Sequence, residues 1–358
     1  MSGQTTKQMI SLYEQEASPT MFLSGFFQTP ARNFHTTEEV EIDIRRSGED
    51  VATVITDLST GGNVNEMSGY TNKNFKPPIY QEEGALNSFD LIKRQAGDNP
   101  FQNPDFQANA TLAAFSQIRK LDDMVRRAVE LQASQVLQTG TLTLLNKAGA
   151  AAYSLDYKPK ATHFPTVPAS WSGASDKIGD LQTLGNVIRA DGLSDPNILV
   201  FGEGAWTNFI NDTAVQAILD KRNINVGEVR PETRGQGAVF QGRIWIGSYV
   251  YEMWTYTGRY KHPTTGVSTK FIDDDKVIMM DSGARLDLTF GAIPLISTGQ
   301  PPALPGLPQR LNSTTGGFGI TTNSWVAANG TSLHVSAGSR PLCIPTAIDR
   351  YGALDTII

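Results

Sequence analysis

Cysteine is almost absent from this sequence, because Cys343 stands alone among 358 residues. A single cysteine excludes an intrachain disulfide and any zinc or iron site built from several cysteines. We interpret Cys343 as a small buried apolar side chain rather than a nucleophile. Long apolar runs are also absent, since nowhere do the roughly 18 apolar residues of a membrane-spanning helix follow one another. The first 19 residues lack the apolar centre of a secretory signal. We therefore expect a soluble protein, located inside the cell when it is made, that binds no membrane.

Basic residues do not outnumber acidic ones. The chain has 30 Lys and Arg against 36 Asp and Glu, which gives a net charge of −6. A protein whose main task is to grip nucleic acid needs a basic surface that releases phosphate counterions. The charge therefore argues against that class of protein, but it does not argue against a protein that encloses DNA.

Residues that could carry catalysis are present but scattered. The four histidines show no spacing typical of metal ligands; they are His35, His163, His262 and His334. The triplet Asp273–Asp275 could bind a cation, but its place before the apolar run Val277–Met280 favours a solvated turn. Neither a phosphate-binding loop with its lysine nor a Gly-x-Ser-x-Gly turn occurs. The sequence thus predicts no enzyme, no cofactor and no metal site, and a hydrolase or transferase using His163, Asp281 or the triplet is the weakest alternative.

The N-terminal part of the chain has apolar segments without an obvious partner. Residues 1–39 form an arm with an aromatic cluster that needs something to pack on. From Val40 the sequence alternates apolar and charged residues, which is typical of a strand with one wet face. A second β-rich run and a Gly-Gly-Asn turn follow, so we predict a hairpin-like arm over 40–97. Because an isolated hairpin is marginally stable, it should lie on another surface, either a second subunit or a sheet of its own domain.

The middle of the chain predicts one long helix and a compact unit. Asn103 and Pro104 offer a helix start, apolar residues then recur at helical spacing, and Gly140 can end the run. Helix and strand signals mix over 175–300, which indicates an α+β or α/β unit. Its polar loop carries Arg222, Arg230 and Arg234 and resembles a subunit contact or a mobile loop more than a phosphate site. Strands near the C-terminus can return to the first domain.

An arm, a long hairpin, a spine helix and a compact second unit suit a subunit that completes its fold on its neighbours. Repeated contacts of this kind build rings, and linked rings build shells. At this point the sequence resembles the lambda-like, E-type major capsid proteins of tailed bacteriophages, which have the Hong Kong 97 (Johnson) fold. The resemblance rests on the following ordered residues: Phe26-Phe27, Phe34, Thr37-Glu38, Phe75 to Pro78, Val200-Phe201, Trp206, Phe240 to Gly242, Tyr256 to Tyr260, Phe271, Asp274, Val277, Ala284-Arg285, Trp325 and Arg340 to Leu342.

The resemblance implies an α+β capsid fold with defined parts. These are an N-terminal arm (1–39), an extended loop that overlaps an adjacent subunit (40–97), a peripheral domain (98–174) with its spine helix at 104–139, an axial domain (175–300), and C-terminal strands that return to the peripheral domain (301–358). Residues expected at inter-subunit contacts are Phe22, Phe26, Phe27, Arg45, Arg46, Gly61, Gly62, Asn63, Phe75, Arg222, Arg230 and Arg234.

The implied function is the icosahedral head shell of a tailed phage, which assembles in the host cytoplasm and becomes part of the virion. Partners implied with it are other copies in hexamers and pentamers, portal and scaffolding proteins, a decoration protein at threefold positions, and double-stranded DNA held without sequence specificity. No motif assigns a covalent cross-link. The main alternative is an encapsulin-like nanocompartment, which shares the fold but encloses protein cargo.

Overall fold

The computed structural model of the chain describes residues 21–35, 37, 39–45, 70–88, 106–220, 232–233, 237–293, 319–327 and 330–358. Its α-helices are α1 (Phe106–Thr139), α2 (Lys177–Gly192), α3 (Glu203–Ile210) and α4 (Thr213–Asp220). Its strands are β1 (Val40–Arg45), β2 (Tyr70–Phe75), β3 (Tyr80–Asn87), β4 (Thr141–Leu145), β5 (Ala151–Asp156), β6 (Ile198–Phe201), β7 (Glu232–Thr233), β8 (Ala238–Ile246), β9 (Tyr249–Tyr256), β10 (Arg259–Lys261), β11 (Ser268–Lys270), β12 (Lys276–Met280), β13 (Asp287–Phe290), β14 (Thr321–Val326), β15 (Ser332–Ser339), β16 (Pro341–Ile344) and β17 (Tyr351–Asp355).

The long helix α1 is present as the sequence predicted, and its 34 residues span about 50 Å at 1.5 Å per residue. Gly140 ends it in the left-handed conformation, with φ of 65°, and its N–H donates to the carbonyl of Val136 at 2.8 Å. A glycine tolerates this conformation without the steric cost of a side chain. The predicted start at Asn103 and Pro104 lies outside the described residues.

A six-stranded sheet lies at the centre of the molecule, in the order β17-β12-β6-β9-β8-β7. The strands β6 and β9 are parallel, and the other neighbouring pairs are antiparallel. Side chains alternate between its two faces. Val200 and Ile278 face the C-terminal half of α1, whereas Phe201 and Val277 face a second cluster that includes residues of α2 and α3. Both faces are covered, so the central strands are buried.

The N-terminal half of α1 packs on a different, three-stranded sheet, in the order β14-β15-β3. Ala114 and Leu121 of the helix share an apolar cluster with Leu333, Val335 and Ala337 of β15. The C-terminal section therefore returns to the long helix at β15, in agreement with the predicted strand at that point.

The last strand, β17, corrects part of the expectation for residues 301–358. It pairs along its whole length with β12, from Lys276 opposite Asp355 to Met280 opposite Tyr351. It therefore belongs to the six-stranded sheet and not to the strands on the N-terminal half of α1. The physical reason is that β12 would otherwise leave an open edge, and Tyr351 and Leu354 add buried side chains to opposite faces.

The predicted hairpin is shorter in its described part than 40–97. Strands β1 and β2 pair in antiparallel register, from Val40 opposite Phe75 to Arg45 opposite Tyr70. The chain then leaves the hairpin, because β3 (80–87) pairs with β15 instead. The second β-rich run at 51–58 and the Gly-Gly-Asn turn lie outside the described residues. No helix of the described chain is both long and apolar enough to span a bilayer.

Candidate assembly site

The base of the β1–β2 hairpin is fixed to the body of the molecule by three side chains. The ring of Phe75 packs against Tyr157, with ring centroids 5.7 Å apart. The hydroxyl of Tyr153 donates to the carbonyl of Lys76 at 2.9 Å. The guanidinium Nη2 of Arg340 donates to the carbonyl of Pro77 at 3.1 Å. These contacts therefore fix the position of the hairpin base on the subunit.

Arg340 is the unusual member of this group because only 2% of it is exposed. Its Nη1 donates to the carbonyl of Ala292 at 3.0 Å, and its own carbonyl accepts from the N–H of Gly291 at 3.0 Å. A buried guanidinium is costly unless its donors are satisfied. Its hydrogen bonds hold the hairpin base, the chain after β13 and the turn between β15 and β16 together.

Tyr157 extends this anchor into the core. Its hydroxyl donates to the carbonyl of Cys343 at 2.7 Å, and burial raises its pKa well above the usual value. Cys343 is itself fully buried, and burial raises the pKa of its thiol. The interpretation of Cys343 as a packed core residue is confirmed by this burial.

The segment at 21–27 is held by one buried carboxylate. Glu130 lies in α1 with no exposed surface. Its oxygens accept from the N–H of Leu23 at 2.8 Å, from the N–H and hydroxyl of Ser24 at 2.9 and 2.6 Å, and from the hydroxyl of Tyr256 at 3.0 Å. Burial raises the pKa of Glu130, while these four hydrogen bonds oppose that shift. Glu130 thus joins the N-terminal segment, the long helix and the central sheet.

The following segment, 28–35, runs beside β13. The N–H of Gln28 donates to the carbonyl of Leu286 at 2.7 Å, and the N–H of His35 donates to the carbonyl of Phe290 at 2.9 Å. The rings of Phe34 and Phe290 are stacked with centroids 5.0 Å apart. The N-terminal segment is therefore part of the subunit's own core.

The aromatic residues expected at subunit contacts pack, in the single chain, on their own subunit, and their contacts in an assembly stay a prediction. Phe27 is 4% exposed, Phe22 packs on Trp254 and Tyr256, and Phe26 packs edge-on against Phe22. Phe75 packs on Tyr157, as described above. All four stabilise their own chain, because the central sheet and the hairpin base provide the apolar surface that the sequence alone could not locate.

Of the other predicted contact residues, Arg45 alone lies within the described part of the chain. Arg45 is the last residue of β1, opposite Tyr70. The remaining ones lie outside the described residues: Arg46, Gly61, Gly62, Asn63, Arg222, Arg230 and Arg234.

The scattered chemical groups do not converge in the described residues. His163 contacts the carbonyl of Tyr351 at 2.9 Å and the carboxylate of Asp191 at 3.1 Å, whereas Asp281 lies 3.8 Å from Arg350. In the acidic triplet, Asp274 pairs with Lys270, which also contacts Glu203 at 2.6 Å. Within the described parts of the chain, no group of three His, Cys, Asp or Glu side chains could hold a metal ion.

Sequence reasoning missed Glu130 and Arg340. A signal for Glu130 existed, since it is the one acidic residue in the last part of the predicted helix, 124–139, and it stands between Val129 and Leu131. Arg340 belongs to the family resemblance, but its role at the hairpin base was missed, because its partners Pro77 and Ala292 are distant in the sequence.

Comparison with known proteins adds to this geometry. The sequence matches the family model described as phage major capsid protein E over residues 5–351. No curated protein matches the chain.

Solved structures also resemble the chain. A protein assigned as the capsid protein of a prophage in Escherichia coli CFT073 has 15% identity and a TM-score of 0.62, covering 96% of this chain and 94% of that chain. A phage-related protein from Bordetella bronchiseptica RB50 has 11% identity and a TM-score of 0.48, covering 96% and 93%. The SrpI encapsulin of Synechococcus elongatus PCC 7942 has 11% identity and a TM-score of 0.47, covering 99% and 92%. The first similarity shows a shared fold, and the other two are too distant to carry an argument.

Proposed function

The chain belongs to the phage major capsid protein E family, and on that premise we propose that its β1–β2 hairpin overlaps a neighbouring subunit in the assembled head. The predicted α+β Hong Kong 97-type fold and the predicted function as a phage head-shell protein are confirmed by the family match and the shared capsid fold. The protein is a structural component of the virion shell. The proposal concerns how the hairpin contributes to that shell.

One observation carries the proposal: the hairpin is a two-stranded sheet on a fixed base. Among the described strands, β1 and β2 pair only with each other. Two strands alone are marginally stable in water and leave open edges. Tyr153, Tyr157 and Arg340 meanwhile fix the three consecutive residues Phe75, Lys76 and Pro77 where the hairpin meets the body. A projecting sheet on a fixed base is suited to deliver its far end to a second copy.

The domain roles extend this proposal. The six-stranded sheet with α2 and α3, mostly from 175–300, would be the axial domain around the fivefold and sixfold axes. The long helix α1 with β3, β14 and β15 would be the peripheral domain. The two apolar clusters on these two sheets support that division, although the C-terminal half of α1 packs on the axial sheet.

The partners follow from the same proposal. Copies of the chain would form hexamers and pentamers of a closed icosahedral shell around double-stranded DNA. Scaffolding and portal proteins would act during assembly in the host cytoplasm, and a decoration protein could bind at threefold positions. The net charge of −6 supports a shell that encloses DNA without gripping it.

Electron microscopy of the purified protein tests the role of the hairpin. The wild-type chain should form shells or rings of five and six subunits. A variant in which an Asn-Gly turn replaces residues 46–69 should keep its fold but remain as free subunits. Circular dichroism and the melting temperature of the variant report whether it folds. Shells of normal size from the folded variant would refute the proposed overlap.

A further inference from the structure

A serine, a histidine and a glutamate are linked by hydrogen bonds on the three-stranded sheet, away from the hairpin. The Nδ1 atom of His334 lies 2.6 Å from a carboxylate oxygen of Glu83. Its Nε2 atom lies 2.9 Å from the hydroxyl of Ser332. We propose that Ser332 is a nucleophile activated by His334 and Glu83, and that it reacts with acyl or phosphonyl electrophiles that carry a good leaving group.

The strand register brings the three residues together. Ser332 and His334 are two residues apart on β15, so their side chains lie on the same face of the sheet. His334 lies opposite Ala85 of β3, which places Glu83 on that face at the diagonal position. Diagonal neighbours across strands are within reach of long side chains. The opposite face of β15 carries Leu333, which packs toward α1.

The hydrogen bonds fix which nitrogen of His334 carries the proton. The Glu83 carboxylate can only accept, so Nδ1 of the neutral imidazole is the donor. Nε2 then has a free lone pair and accepts the hydroxyl proton of Ser332. This is the order of groups in which a carboxylate orients a histidine and the histidine acts as the base for a serine.

Trp325 restricts the histidine ring further. It lies opposite His334 on β14, and the two rings are stacked with centroids 5.5 Å apart and an angle of 13°. The stack holds the plane of the imidazole, while Glu83 sets its rotation within that plane. The group remains reachable from solvent, since Glu83 is exposed and Ser332 and His334 are partly exposed.

The proposed step is a single transfer to Ser332. With a fluorophosphonate, the Ser332 oxygen attacks phosphorus, the P–O bond forms and the P–F bond breaks. Fluoride leaves with the bonding electrons, and the hydroxyl proton passes to Nε2 of His334 and then to water. Ser332 ends as a phosphonyl ester. Since the three residues lie on an open sheet face, we expect one modification per chain and not rapid turnover.

Labelling of the full-length protein with a fluorophosphonate, followed by peptide mapping, tests the inference. Ser170 is the internal control, because its exposed hydroxyl bonds to the hydroxyl of Ser172 at 3.0 Å and not to an imidazole. General bases accelerate such steps by about 10²–10⁴, so Ser332 should be modified at least about tenfold faster than Ser170.

Variants separate the roles of the three residues. Ser332→Ala should abolish labelling at this peptide, and His334→Gln should lower the rate at Ser332 to that of Ser170. Glu83→Gln should lower it by about tenfold, in line with a positioning residue. Equal labelling of Ser332 and Ser170 in the wild-type protein would overturn the inference without any variant having to fold. Equal rates at Ser332 in the wild-type protein and in a folded His334→Gln variant would also overturn it.

Discussion

The two halves of α1 differ in how much of their surface is covered. The C-terminal half is mostly buried from Val129 to Gln138, so that even Glu130, Gln132, Ser134 and Gln138 are buried and hydrogen-bonded. The N-terminal half is covered on one side by the three-stranded sheet and leaves Leu112 and Phe115 65% and 46% exposed. One continuous helix thus serves as a core element at one end and as a surface element at the other.

This difference indicates which half of the helix tolerates amino-acid substitutions without loss of the fold. The enclosed half joins the N-terminal segment, the central sheet and the strands near Cys343 in one apolar cluster. The half-covered part joins only the smaller cluster. Substitutions in the C-terminal half should lower the stability of the subunit. Substitutions in the N-terminal half should act mainly at its surface.

The largest expected effect comes from Glu130→Ala. The change leaves the N–H groups of Leu23 and Ser24 and the hydroxyls of Ser24 and Tyr256 without their acceptor in a buried site. Each unsatisfied buried group costs about 1–3 kcal/mol, so we expect a loss of at least about 3 kcal/mol. Urea unfolding of the free subunit measures it. As a control, Ser116→Ala on the exposed half should change the free energy of unfolding by less than about 0.5 kcal/mol.

Two leucines of the same helix give the next largest contrast. Leu137→Ala in the enclosed half removes a fully buried side chain and should cost about 2–5 kcal/mol. Leu112→Ala in the other half should cost about 0.5 kcal/mol or less. The melting temperatures of both variants, measured under identical conditions, check the difference. Equal losses would show that the N-terminal half is as enclosed as the C-terminal half.

The buried carboxylate also predicts a pH dependence of smaller size. Because the pKa of Glu130 is raised in the folded chain, the folded state binds this proton more readily than the unfolded state. Its contribution to stability is therefore present at low pH and is lost as the pH rises through the raised pKa. Wild-type protein should gain stability relative to Glu130→Gln as the pH is lowered toward the ordinary pKa of a glutamate, by up to about 1.4 kcal/mol per pH unit. A constant difference would contradict this.

The smallest expected effect lies near the middle of the helix. Arg126 and Asp122 form an ion pair at four-residue spacing, 2.8 Å apart and partly exposed. Such pairs contribute about 0.3–0.5 kcal/mol, so Asp122→Asn should lower the melting temperature only slightly. High salt should remove most of this difference.

Local signals in the sequence predicted most of the secondary structure. The helix α1, its end at Gly140 and the mixture of helices and strands over 175–300 follow from periodicity and from turn residues. The family resemblance added the fold and the function. Both sources depend on patterns that are close together or that occur in a fixed order.

Long-range pairing could not be predicted from those patterns. The aromatic residues at 22–27 were expected to need a covering surface, but that surface could not be identified, because Trp254 and Tyr256, which contact Phe22, lie more than two hundred residues away. The pairing of β17 with β12 and the contact between Arg340 and Pro77 were missed for the same reason. The sequence thus indicates which apolar residues need to be buried, but it does not identify the residues that cover them.

The thiol of Cys343 can report transient local opening of the subunit. Cys343 is fully buried, and its sulfur lies 3.9 Å from the carbonyl of Val129 in the enclosed half of the helix. A soluble thiol reagent can reach it only when helix and strand separate. With a single such atom in every copy, the kinetics of its modification would report how often a subunit opens, in solution and within a finished particle, without any engineered label.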